Sequence, residues 1–117
     1  SLENAEVVFE EGKVHIMTMH KAKGLTAEAV IIPACEDEYI PGRNTDTEAQ
    51  KEEIRLLYVS LTRAKHFLYL TYCNRRTDKQ CHTGSNSGNY KRTLSRFLHD
   101  APISPIDGIR FIRSLPN

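Results

Sequence analysis

Arg63 closes the run Glu52-Glu53-Ile54-Arg55-Leu56-Leu57-Tyr58-Val59-Ser60-Leu61-Thr62-Arg63-Ala64-Lys65, in which Ile54, Leu57, Tyr58 and Leu61 recur at helical spacing. A helix held by that stripe fixes the position of a guanidinium at its end. Such a group suits the charge that builds on a transferring phosphoryl, an effect on the order of 10³–10⁵ in rate. The same arginine also complements a helix C-terminus, worth about 0.3–1 kcal/mol, and spacing alone leaves both roles open. A second segment, Thr18-Met19-His20-Lys21-Ala22-Lys23-Gly24-Leu25, gathers a hydroxyl, an imidazole, lysines and a glycine that frees the backbone to approach phosphate oxygens. Gly and Lys stand here in the reverse of the order a Walker A loop requires. A short helix stopped by Gly24 accounts for the same residues.

These segments need elements to hold them. Residues 13–19 alternate and are β-prone, which predicts a strand leading into the first segment. Residues 29–34 form a continuous apolar run, the pattern of a parallel strand buried on both faces, with Pro33 near its end. Pro41, Gly42 and Asn44 mark 36–47 as a loop, and 48–64 is the clearest helix, acidic at its start and basic at its end. Residues 66–73 read as the next strand, 75–90 as a polar loop, and 93–99 as one short helix before Pro102. The division expected is 1–12 as a lead-in, 13–101 as one folded unit and 102–117 as a tail. Strands alternating with helices indicate an α/β fold, and the chain shows no internal repeat.

Composition sets bounds. A chain of 117 residues is about one domain, and 39% hydrophobic with 26% charged residues is neither a disordered tail nor a membrane span. Three cysteines cannot all pair within the chain, which favours a reducing, cytoplasmic setting. Cys73, Cys81 and His82 lack the spacing of a zinc site. The net charge of +1 conceals two blocks: seven acids against three bases over 36–55, then eight bases against Asp78 alone over 63–96. Two solvated faces would explain this, as would a basic surface meeting phosphate. Arg75 and Arg76, on the polar loop, are the candidates there for nucleic-acid phosphates.

Taken together, 14–25, Glu36-Asp37-Glu38-Tyr39-Ile40-Pro41 and 52–65 resemble, in order and spacing, the UvrD/Rep/PcrA family of superfamily-one DNA helicases. The first and last look like that family's motifs V and VI. Ser95-Arg96-Phe97-Leu98 is similar to a short sequence that closes the same domain. The resemblance implies a RecA-like, mostly parallel sheet with flanking helices, here the C-terminal part of the second motor domain. It implies that Arg63 reaches the γ-phosphate of ATP and that Thr18 and His20 contact the backbone of single-stranded DNA, and Lys23 in the same segment is a further candidate for nucleic-acid phosphates. Gly24 then falls on the nucleotide side, with Thr26 where the family places a glutamate on the nucleotide sugar. Partners implied are single-stranded DNA and the first RecA-like motor domain, with ATP and Mg²⁺ as cofactors of the full-length enzyme and no membrane.

The chain itself carries no Walker A loop and no Asp-Glu metal-binding pair of the first motor domain. One arginine without phosphate-cradling amides and a metal ligand cannot run hydrolysis, so these residues alone are expected to be inactive. The rival reading is a RecA-like binding or interaction module that has lost motor activity, and Thr26-Ala27 is its main support. A third is the C-terminal part of a helicase–nuclease subunit.

Overall fold

The computed structural model describes residues 10–42, 46–77 and 91–116. Two parallel strands form its centre, β1 (Ala27–Ile32) and β2 (Ala64–Leu70). Helices α1 (Met19–Ala22), α2 (Thr47–Leu61) and α3 (Gly108–Ser114) surround them, with a 3-10 turn over Arg96–Leu98. Ala27 pairs with Ala64 at one end and Ile32 with Leu70 at the other, with a register shift between Ala27 and Ala29. A parallel pair needs a crossover, and α2 supplies it between β1 and β2. This is the partial α/β arrangement that the strand–helix alternation predicts.

Helix α2 forms where the periodicity places it. Asp46 caps it by accepting from the Ala49 N–H at 3.3 Å. Its buried residues are Leu57 and Ser60, whereas Ile54 and Tyr58 of the apolar stripe stay exposed. The helix ends at Leu61, with Thr62 as its cap, because the chain must straighten to enter β2 at Ala64. The core is small and lies toward the carboxyl ends of the strands: Ile32, Cys35, Ile40, Leu57 and Leu98.

Three features differ from expectation. Residues 13–18 form no strand, and Val14 and Ile16 are almost fully exposed, because alternation alone makes no ladder without a neighbouring strand to pair with. β1 is not buried on both faces: Ile31 is 65% exposed and only Ile32 is buried, since two strands leave most of a sheet face uncovered. The segment expected as a tail contains α3, capped by Asp107 accepting from the Arg110 N–H at 3.0 Å. Its Phe111 ring sits 6.0 Å from that of Tyr69 on β2.

Candidate functional site

The amino end of the strand pair holds most of the residues that the sequence singles out. The Thr18 hydroxyl caps α1, accepting from the Lys21 N–H at 3.2 Å. Lys23 is the C-cap of that helix, and Gly24 follows at φ +85°, a backbone that glycine adopts without penalty. Thr26 is exposed and immediately precedes the Ala27 N–H, which donates to the Arg63 carbonyl at 3.0 Å. Thr26 and Arg63 are therefore brought together at the amino end of the strand pair, with Gly24 two residues before Thr26. His20 and Lys23 line a groove of about 320 Å³ whose other wall is α2, with Glu52, Glu53, Arg55 and Tyr58. That wall carries both signs of charge, and its Arg55 pairs with Glu52.

Arg63 lies just past the α2 cap and is partly buried. Its Nε donates to the Val59 carbonyl at 3.0 Å and its Nη2 to the Thr62 hydroxyl at 3.2 Å. The guanidinium thus satisfies a carbonyl at the end of α2, one of the two roles left open by its spacing.

Arg75 and Arg76 fall at the opposite end. Seven residues of β2 separate the two ends by about 20 Å. Arg75 joins Lys91 in an isolated antiparallel bridge. Arg76 forks onto Glu36, Nε to Oε1 at 2.5 Å and Nη2 to Oε2 at 2.7 Å, a bidentate pair that fixes the guanidinium's direction. Glu36 is fully buried, and its Oε2 also accepts from the Cys73 N–H at 3.2 Å. The buried Arg92 lies 3.9 Å from the same carboxylate. Arg76 and Arg92 both stand over the Tyr39 ring, at 5.4 and 5.8 Å from its centroid.

The neighbouring acids are held in the same way. Arg96 forks onto Asp37 at 2.9 and 2.8 Å, and these hydrogen bonds hold the Asp37 carboxyl below its ordinary range. Glu38 accepts from the Thr93 N–H at 2.8 Å. Ser95, fully buried, donates its hydroxyl to the Ile40 carbonyl at 2.7 Å. Beside this cluster, burial pushes the Cys35 thiol up to about 11.

Part of the acidic block and part of the basic block are thus partners across the fold. At Arg76, Arg92 and Arg96 the basic stretch is matched by Glu36 and Asp37, with Arg92 buried and Arg96 half exposed. Sequence reasoning missed Glu36 as a structural centre. The available signal was an acid directly after an apolar strand, with arginines recurring downstream. Lys79, Cys81 and His82 lie outside the described residues. Among the described residues no group of three or more His, Cys, Asp or Glu could hold a metal ion, and no helix is long and apolar enough to cross a membrane.

Comparison with known proteins agrees with this arrangement. Residues 1–75 match the family model of the UvrD-like helicase C-terminal domain. The chain is 44% identical over 69 residues to the ATP-dependent DNA helicase Rep of Buchnera aphidicola subsp. Acyrthosiphon pisum, covering 58% of this chain and 11% of that protein. It is 37% identical over 105 residues to Rep of Buchnera aphidicola subsp. Baizongia pistaciae, covering 88% and 15%. Against the ATP-dependent DNA helicase PcrA of Staphylococcus aureus it is 39% identical over 70 residues, covering 56% and 10%. The chain thus spans 10–15% of the length of these curated relatives. The matched residues contain both chemical segments, the strand pair and the crossover helix, and the chain belongs to the UvrD-like helicase C-terminal domain family.

Proposed function

We propose that this chain is the C-terminal part of the second RecA-like motor domain of an ATP-dependent DNA helicase or translocase, with residues 13–101 as the motor part. The observation that carries this reading is the meeting of the Gly24–Ala27 segment with Arg63 at the amino end of the strand pair, through the Ala27 N–H, within a chain of this family. Residues far apart in sequence share one end of the sheet, as a composite site requires.

In this reading Arg63 directs its guanidinium across a cleft toward the terminal phosphate of ATP. Gly24 leaves room for the nucleotide, and Thr26 approaches it with a hydroxyl in place of the family's carboxylate. Bound ATP supplies the phosphoryl group whose transfer to water drives movement. The donor set here fits the phosphate but not the metal: a guanidinium is present and a carboxylate cluster for Mg²⁺ is not, among the described residues. The first motor domain would provide the rest. Thr18 and His20 hold the backbone of single-stranded DNA, Lys23 adds positive charge beside them, and cleft closure moves the strand. Arg75 remains a candidate for a phosphate at the other end, whereas the fork of Arg76 on Glu36 commits its guanidinium inward.

Replacing Arg63 by alanine in the full-length protein tests this. DNA-stimulated ATP hydrolysis is expected to be lost while single-stranded DNA binding survives. Near-normal turnover would remove Arg63 from the nucleotide site. The second reading, a RecA-like module without motor activity, draws on Thr26. It predicts no ATP hydrolysis by the full-length wild-type protein and DNA binding that ATP does not alter.

A further inference from the structure

Thr62 occupies an unusual place beside Arg63. Its hydroxyl donates to the Val59 carbonyl at 2.8 Å and accepts from Arg63 Nη2 at 3.2 Å. The Val59 carbonyl in turn accepts from Arg63 Nε at 3.0 Å. A hydroxyl has one proton and two lone pairs, so giving its proton to Val59 orients its lone pairs for the guanidinium. The Nε–Nη2 edge of Arg63, one of the two forks with which an arginine grips a phosphate, is thereby folded back onto the end of its own helix.

We infer that Thr62 is a positioning residue that stows Arg63 on the C-terminus of α2, and that release of this latch is the step that frees the Nε–Nη2 fork for phosphate. The inference rests on the proposed role of Arg63 at the nucleotide. Thr62 is exposed, so the latch opens without disturbing the core. Two states then compete, one with the fork on Val59 and Thr62 and one with it on the phosphate. A hydrogen bond to a charged group biases such a pair by about ten- to hundred-fold, and the upper figure is the ceiling on what removing the hydroxyl can change.

The test is ATP hydrolysis by the full-length protein, with and without single-stranded DNA, in four variants: Thr62→Val, Thr62→Ser, Arg63→Ala and Thr62→Val with Arg63→Ala. Thr62→Val keeps the shape and removes the hydroxyl, and it is expected to raise DNA-independent kcat by about ten-fold, and by no more than about a hundred-fold, with KM little changed. The extra stimulation by DNA shrinks correspondingly. Thr62→Ser restores the wild-type ratio, and the double variant matches Arg63→Ala. Unchanged or lower kcat in Thr62→Val, or a rise that persists without Arg63, overturns the latch. Normal turnover in Arg63→Ala refutes the nucleotide role of Arg63 and the latch with it. Loss there without a rise in Thr62→Val refutes the latch alone. Should Thr62→Val melt well below the wild type, Thr62→Ala makes the same measurement without the branched methyl groups.

Discussion

The two ends of the β1–β2 pair are built on different terms. At the carboxyl end, Glu36, Asp37 and Glu38 each hold a partner from the stretch between Arg76 and Arg96, and the buried side chains Cys35, Ser95 and Leu98 pack among them. At the amino end, Thr18, His20, Lys23, Gly24 and Thr26 are exposed, and the guanidinium of Arg63 is bound to the end of its own helix. Charges at the first end are matched across 40 to 59 residues of sequence, which ties the two loops after the strands into one body. At the second end the Arg63 guanidinium has local partners, the Val59 carbonyl and the Thr62 hydroxyl, within four residues of it. Placing the fold's fixed electrostatics about 20 Å from its candidate chemistry leaves the candidate residues able to change partners without loosening the core.

This contrast can be broken at several points. The largest effect falls on Arg63: its alanine variant should lower turnover of the full-length protein by at least about 10³-fold, read by steady-state ATP hydrolysis. The same change should cost no more than about 1 kcal/mol of stability, since only a helix-end contact is lost. Next comes Glu36→Ala, which leaves the buried Arg92 and the part-buried Arg76 without their carboxylate. A loss of about 3–5 kcal/mol in denaturant unfolding is expected, and a loss under 1 kcal/mol would make the two ends alike. Gly24→Ala meets open space but retains the positive φ, so about 1 kcal/mol of strain is the whole expected cost in the same assay.

The smallest effect concerns pH. Asp37 holds its proton less tightly when paired with Arg96 than in the unfolded chain. The unfolded state therefore binds more protons in the window below the ordinary carboxylate value near 4, and stability rises with pH there. The contribution is complete above that value and is lost as the pH falls through the lowered one. Asp37→Asn should flatten this limb of the stability–pH curve, leaving the curve above about pH 5 parallel to that of the wild type.

How much of this was legible depends on whether the signal is local. Helix α2 could be read because Ile54, Leu57, Tyr58 and Leu61 repeat within one element, and β1 and β2 because their apolar runs are short and bounded by turns. The segments around Gly24 and Arg63 could be read because residue types and order carry them. The burial of Glu36 had only a weak signal, an acid directly after an apolar strand, since its partners lie 37 and 40 residues away and a run of acids is ordinarily solvated. Residues 13–18 failed in the opposite sense: the alternation is present, but a strand exists only where a second strand completes it. Helix α3 was hidden by the prolines around it, although Asp107 before Gly108 marks a start that its capping bond makes visible.

The division of labour between the two ends is tested most directly by the DNA-stimulated turnover per folded molecule of Arg63→Ala, set beside that of Glu36→Ala. The account predicts that Arg63→Ala retains the wild-type folded fraction and loses turnover by about 10³-fold or more, while Glu36→Ala loses folded protein but keeps its turnover per folded molecule. Normal turnover per folded molecule in Arg63→Ala would contradict it.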